Sequence, residues 1–430
     1  MTRRGSLPKD HGGSRRRRLD VVATDFHPRY VVWELTLACD HACTHCGSRA
    51  GVARENELTT AEALDVVQEL RDLGTGEVVL IGGEAYLHPG FLEVAGALTA
   101  ADVNVIVTTG GRGVTAELAL AMADVGVRRV SVSIDGLEEA HDEMRAREGS
   151  YQDCLAALAN VRAAGITATA NTNFNRSNMA DLEGLYEVLR GAGVRAWQVQ
   201  ITSPLGRAAD RTEMLLQPYD FLDLVPRIAA VKERGLAEGL LLMPGNNLGY
   251  FGPEEGLLRS QRPEHGDHWG GCQAGRFVMG IESDGAVKGC PSLQTSAYVG
   301  GTTRESSIAK VWDESPVLAF ARARTRADLH GFCAECVYGD ACLGGCTFTA
   351  HSILGRPGNN PYCHFRALDH ARRGLRERLV PRDAAPGSPF DCGLFEIVVE
   401  AADAEEPETV SHGELLQITR RPLRTVPGRG

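Results

Sequence analysis

Ten of the twelve cysteines in this chain of 430 residues fall into dense groups, separated by long stretches that hold at most one. Three form Cys39-x3-Cys43-x2-Cys46. Two more are Cys272 and Cys290, and five are Cys333, Cys336, Cys342, Cys346 and Cys363. In a reducing compartment, clustered cysteines are metal ligands rather than disulfides. Three thiolates on one short loop can hold three irons of a cubane cluster, which leaves the fourth iron without a protein ligand. A metal position left open is what a site needs to bind and activate a small molecule. The competing reading is a structural zinc site. It requires a fourth ligand, for which His41 or His45 is the candidate.

The elements that must position this loop are legible around it. Residues 31–37 read as a first strand, and the cysteine loop follows directly. Thr59 and Glu62 form a capping box in front of Ala63, Val66, Val67, Leu70 and Leu73, which recur at helical spacing. Residues 78–81 form a second strand that ends in Gly82-Gly83-Glu84. Further strands are expected at 103–109, 129–135, 167–174 and 196–202, each followed by a helix. Six such units imply parallel strands with right-handed crossovers. Six are too few to close an eight-stranded barrel, so an open, partial barrel results. Its chemistry belongs at the C-terminal strand ends, where both the cysteine loop and Gly82-Gly83-Glu84 lie.

With strand and loop in place, Cys39-Asp40-His41-Ala42-Cys43-Thr44-His45-Cys46 resembles the radical S-adenosylmethionine (radical SAM) superfamily. That family carries Cys-x3-Cys-x-aromatic-Cys after the first strand of a partial (β/α)6 TIM-like barrel. His45 stands in the aromatic slot. The resemblance implies a [4Fe–4S] cluster with one open iron that chelates S-adenosylmethionine, whose reductive cleavage yields methionine and a 5′-deoxyadenosyl radical. It also implies cofactor-binding roles. Gly82, Gly83 and Glu84 match the turn that approaches the methionine amino group. Ser133 and Asp135 match the fourth-strand segment that reaches the ribose. Thr109 stands where relatives carry Asn, so no role is carried over to it.

The C-terminal cysteines follow Cys272-x12-Gly285-x4-Cys290, then Cys333-x2-Cys336-x5-Cys342-x3-Cys346, then Cys363. This spacing resembles the SPASM domain, a small iron–sulfur domain of radical SAM peptide maturases. By that resemblance Cys333, Cys336, Cys342 and Cys363 ligate one auxiliary [4Fe–4S] cluster, and Cys272, Cys290 and Cys346 serve a second. The second set is one thiolate short. Its fourth iron is either open or held by His265, Asp267 or His268. The alternative is one or two zinc ribbons. Cys154 shares a helical face with Tyr151, Leu155, Leu158 and Val161 and reads as a buried core thiol; Cys392 sits in an unassigned tail, and neither is expected to bind metal.

The expected organisation is a disordered basic tail at 1–28, around Arg15-Arg16-Arg17-Arg18, then the barrel at 29–240 and a Gly/Pro/Asn-rich linker at 241–271. A SPASM domain at 272–380, ending in a helix at 366–379, and a tail of unknown role at 381–430 complete it. A net charge of −11 argues against a nucleic-acid partner. No signal peptide and no run of about 18 apolar residues is present, so a cytoplasmic protein is expected.

Relatives of this layout modify ribosomally made precursor peptides by crosslinking, oxidation, excision or epimerisation. Only 38 residues precede Cys39, too few for a winged-helix leader-binding domain, so a separate leader-binding protein is an expected partner. A flavodoxin- or ferredoxin-type electron donor is another. Sulfatase maturases place Asp after the cysteine matched by Cys290. Pro291 stands there instead, which weighs against that activity. Small-molecule radical oxidation is a further alternative, and a non-catalytic iron–sulfur or zinc protein is the alternative from another class.

Overall fold

The computed structural model describes residues 26–260, 267–406 and 413. The arginine run at 15–18 and His265 lie outside the described residues. Twelve strands are present among those described: β1 (Tyr30–Glu34), β2 (Glu77–Ile81), β3 (Asn104–Thr109), β4 (Arg129–Ser133), β5 (Thr167–Phe174), β6 (Ala196–Ile201), β7 (Leu241–Pro244), β8 (Val278–Ile281), β9 (Ala286–Lys288), β10 (Val299–Thr302), β11 (Leu375–Asp383) and β12 (Leu394–Ala401). The first ten form one sheet in the order β10-β9-β8-β1-β2-β3-β4-β5-β6-β7. From β1 to β7 every neighbouring pair is parallel and sequential.

Helices fill the crossovers: α1 (Thr60–Asp72), α2 (Phe91–Ala100), α3 (Ala116–Asp124), α4 (Glu138–Arg145), α5 (Ser150–Ala163), α6 (Leu182–Gly191) and α7 (Phe221–Glu238). Thr59 caps α1 and Glu62 closes the capping box. Strand periodicity then sorts the side chains. Val31, Trp33, Val78, Leu80, Trp197 and Val199 point under the helices and join the main core. Val32, Val79 and Ile106 point the other way and form a small separate cluster with Tyr30 and Ile81. The sheet thus has a helix-covered outer face and an inner face that lines a lumen. This is the partial (β/α)6 barrel, with the cysteine-rich domain following it.

The sheet runs past both ends of the six units. β7 lies inside the segment expected to be a linker, where the Gly/Pro/Asn-rich residues after it mask a four-residue strand. On the other side β8 pairs in parallel with β1, so the cysteine-rich domain starts as an extension of the barrel sheet. An uncovered β1 edge would leave a row of unpaired backbone groups. The expected helix at 366–379 is also shorter. It spans His364–Arg372, Gly374 at φ +69° turns the chain, and β11 begins at Leu375. β11 pairs antiparallel with β12, so residues 375–401 form a hairpin. No helix among the described residues is long and apolar enough to cross a membrane.

Candidate functional site

The loop after β1 carries Cys39, Cys43 and Cys46 to the C-terminal end of the sheet. All twelve cysteines are free thiols. Burial pushes the Cys39 thiol up to about 12, and the charges of Glu84, Cys43 and Cys46 add to the rise. Burial raises Cys43 as well, against the opposing pull of Arg145. The Cys39 and Cys43 thiols therefore resist ionisation until a cation arrives. Metal binding there releases protons.

Gly82 and Gly83 follow β2 and lie flat against this loop. Gly83 N–H donates to Thr36 O at 2.7 Å and Glu84 N–H to Ala38 O at 2.8 Å. A Cβ at Gly83 would stand 2.1 Å from Ala38 O and 2.7 Å from the Cys39 Cβ; one at Gly82 would stand 2.4 Å from Thr36 O. The close approach these glycines allow is therefore to the cysteine loop itself. The Glu84 carboxylate is buried. It accepts from Thr109 Oγ1 at 2.6 Å and from Gly110 N–H at 2.5 Å. Burial pushes its pKa up to about 7.

Asp135 is fully buried just past the end of β4, and its oxygens are taken. Oδ2 meets Arg145 at 2.6 Å and His45 Nε2 at 3.1 Å, and Oδ1 accepts from Asn173 N–H at 2.8 Å. Burial alone would raise this carboxyl, but Arg145 and His45 outweigh it and hold Asp135 well below the usual range. The half-buried Ser133 offers its carbonyl to Arg145 at 3.0 Å. Asp135 thus positions His45 on the cysteine loop, and both its oxygens are engaged within the chain. His45 Nδ1, Arg145 Nε and the Ser203 hydroxyl after β6 are buried without a hydrogen-bond partner among the described residues. Unmet polar groups at the strand ends fit a polar ligand.

The ligand atoms of Cys39, Asp40, His41 and Glu84 lie within 4.8 Å of one another. Protein groups already occupy most of them. His41 Nδ1 lies 2.9 Å from Asp40, its Nε2 lies 3.4 Å from Ser150 Oγ, and both Glu84 oxygens accept hydrogen bonds. Cys43 and Cys46 stand outside this set. The zinc alternative gains no complete ligand set here.

The remaining cysteines sort into two places. Cys333, Cys336, Cys342 and Cys363 line one pocket together with Phe251, Tyr338 and Phe365. Phe251 stacks on Tyr338 at 4.4 Å. Cys272, Cys290 and Cys346 form the other group. Burial, then the charges of Cys346 and Cys272, push Cys290 up to about 12. The exposed His268 sets its Nδ1 3.0 Å from Trp269 O, and Asp267 N–H bonds to Ser260. Cys154 is wholly buried on α5 and donates to Gly110 O.

Three features escaped sequence reasoning. Arg145, at the end of α4, anchors Asp135; a lone arginine there carries no local pattern. Thr109 holds Glu84. The unassigned tail returns to the cysteine loop. Phe390 N–H donates to Gly47 O at 3.0 Å, Arg49 pairs with Asp391 at 3.0 Å, and Gly206 N–H donates to Asp391 O at 2.8 Å. The buried Lys288, two residues before Cys290, lies 3.9 Å over the Phe390 ring. The β11–β12 loop therefore ties the first cysteine loop to the cysteine-rich domain.

Comparison with known proteins agrees with this architecture. Residues 33–189 match the radical SAM superfamily, and residues 272–337 match an iron–sulfur cluster-binding domain, SPASM. The chain is 30% identical over 352 residues to the mycofactocin maturase MftC of Mycobacterium ulcerans, covering 78% of this chain and 88% of that protein. It is 29% identical over 361 residues to the AdoMet-dependent heme synthase of Methanosarcina barkeri, covering 80% and 99%. Among solved structures, anSMEcpe with bound AdoMet superposes with a TM-score of 0.63 at 15% identity, covering 80% of this chain and 95% of that one. Streptococcus suis SuiB bound to precursor peptide SuiA gives 0.61 at 15% identity, covering 78% and 75%. The chain belongs to the radical SAM superfamily and carries a SPASM domain. It is a radical SAM enzyme, a class that works with iron–sulfur clusters and S-adenosylmethionine.

Proposed function

We propose that Cys39, Cys43 and Cys46 hold a [4Fe–4S] cluster with one iron free for S-adenosylmethionine, and that the enzyme modifies a precursor peptide. Two auxiliary clusters complete the set, one on Cys333, Cys336, Cys342 and Cys363 and one on Cys272, Cys290 and Cys346. The observation that carries the reading is the loop after β1, with three thiols and no fourth cysteine. When bound, the cluster and its cofactor supply a 5′-deoxyadenosyl radical that abstracts hydrogen from an unreactive C–H bond. The protein's own part is to hold and shield. Gly82 and Gly83 pack the loop, Asp135 fixes His45 and Arg145, and residues 390–391 clamp Gly47 and Arg49. His45 Nδ1, Arg145 Nε and Ser203 Oγ are the groups left to meet the cofactor. The peptide substrate rests on the likeness to a maturase. A separate leader-binding protein and a flavodoxin- or ferredoxin-type donor are the partners of this reading.

The second reading is a porphyrin-modifying enzyme, favoured by the likeness to heme synthases. Anaerobically reconstituted enzyme, dithionite and S-adenosylmethionine are to be offered synthetic peptides from short reading frames beside the gene, and in parallel a porphyrin tetracarboxylate. A mass change in a peptide is the expected result. Turnover of the porphyrin with no peptide altered overturns the peptide reading.

The glycine contacts give a sharper local test. Gly83→Ala forces a methyl into the Ala38 carbonyl and should cost about four irons per chain after reconstitution, read by colorimetric iron assay. Gly51→Ala, in the same loop with nothing within 4 Å of its added Cβ, should keep them.

A further inference from the structure

The inner face of the barrel changes character across the sheet. Midway along β1 to β3 it is aliphatic, with Val32, Val79 and Ile106, and the acids Glu34 and Glu77 share that face. On β5 and β6 the inner-face residues toward the C-terminal ends are carboxamides. Asn171 and Asn173 alternate with Ala170, Thr172 and Phe174, and Gln198 and Gln200 alternate with Trp197, Val199 and Ile201. The alternating partners are fully or almost fully buried, and all but Thr172 lie in the main core beneath the helices. The four amides therefore face the lumen.

The strands pair in parallel with Asn171 opposite Gln198 and Asn173 opposite Gln200, so the amides form two rungs of a ladder. The lower rung is level with Ser133, which pairs with Asn171. The upper rung reaches the cysteine loop's own network, because Asn173 N–H donates to Asp135, which holds His45. All four side chains are half-buried, and none makes a side-chain hydrogen bond within the described residues. Each carboxamide offers two donors and two acceptor lone pairs. Four of them in a sheltered lumen are poorly satisfied unless a ligand supplies both kinds of partner.

The charge pattern narrows that ligand. Among the inner-face residues of β1–β7, the one cation is Arg129, at the N-terminal end of β4, away from the cysteine loop. Arg145 reaches the C-terminal end but is paired with Asp135. Arg49 is paired with Asp210 and Asp391. Arg207 donates to the carbonyls of Cys43 and Ala50. A polycarboxylate held here would lack counter-charges, which is costly out of water. An extended main chain has the alternating N–H and C=O groups that carboxamides match.

We propose that Asn171, Asn173, Gln198 and Gln200 form a carboxamide ladder that reads the main-chain amides of a neutral peptide segment and lays it beside the cysteine loop. This rests on the peptide reading above and names the surface that reading requires. The test uses reconstituted holoenzyme and the peptide that the wild type modifies. Gln198→Leu and Asn171→Leu should each raise the peptide KM about tenfold, the loss expected from one or two unmade hydrogen bonds. S-adenosylmethionine affinity and uncoupled 5′-deoxyadenosine formation should stay within about twofold of wild type. If the leucine variants fail to retain iron, the near-isosteric Gln198→Glu decides, with the same rise expected. An unchanged peptide KM in the iron-loaded variants overturns the ladder while leaving the peptide reading intact. A loss of S-adenosylmethionine affinity instead assigns these amides to the cofactor and also overturns it. A wild type that turns over the porphyrin tetracarboxylate and no peptide overturns both proposals.

Discussion

Cys43→Ala is expected to abolish reductive cleavage of S-adenosylmethionine. 5′-Deoxyadenosine falls to the level of a protein-free control, and about four irons per chain are lost. On the proposed ligation the effect is total, because each thiolate would hold one iron of a site that already has the minimum number. Two thiols cannot retain a cubane that must also keep one iron open. Cys43 is the most buried of the three, so no water or buffer thiol enters to replace it. Cys154→Ala is the matched control. That thiol is equally hidden, yet it sits on α5 among Tyr151, Leu158 and Val161 and donates to Gly110 O. Removing it should cost about 1–2 kcal/mol of stability and leave both iron content and cofactor cleavage in place. Parallel chromatography of 5′-deoxyadenosine and iron assay of the two variants read the contrast directly.

Arg366→Met is expected to destabilise the C-terminal region by about 3–5 kcal/mol. Arg366 and Glu377 are both almost fully buried and meet in a two-pronged pair, with both contacts at 2.6 Å. The pair ties the helix His364–Arg372 to β11, and Arg366 also donates to Asn359 at 2.6 Å. Without the guanidinium the Glu377 carboxylate stays buried, with His370 Nε2 3.2 Å away as its remaining polar neighbour. Chemical denaturation followed by tryptophan fluorescence measures the loss. The double variant Arg366→Met with Glu377→Leu should recover most of it, because no uncompensated charge remains. Burial alone would raise Glu377, but His370 and Arg366 hold it below the ordinary glutamate range. Its folded pKa is depressed, so its contribution is complete above the ordinary value of about 4.5 and is lost as pH falls from there through the folded value. Acid therefore loosens the hairpin whose loop clamps Gly47 and Arg49.

Local signals in this chain were strong wherever one element sets its own geometry. The capping box at Thr59 and Glu62, the strand runs of β2, β3 and β5, and the buried thiol of Cys154 are written in neighbouring residues. So is the placement of the cysteine loop and Gly82-Gly83 on one face, which follows from strand order. What sequence reasoning missed depends on contacts between distant segments. β7 is too short to stand out before a Pro/Gly-rich stretch. β8 is claimed by β1 from across the barrel. Arg145 and Thr109 are ordinary residues until folding sets them on Asp135 and Glu84. Gly83 was legible as a turn, but the atom that demands a glycine, Ala38 O, comes from the preceding unit. The hairpin at 375–401 closes over the cysteine loop more than 300 positions away, a relation no local periodicity encodes.

The central claim is that an iron of the first cluster is open and takes S-adenosylmethionine. Electron paramagnetic resonance of the anaerobically reconstituted, dithionite-reduced protein tests it most directly, recorded before and after the cofactor is added. The account predicts a reduced cubane signal whose g-values shift on addition, and loss of that shift in Cys39→Ala. A signal that the cofactor leaves unmoved, or zinc in place of iron on the loop, would contradict it.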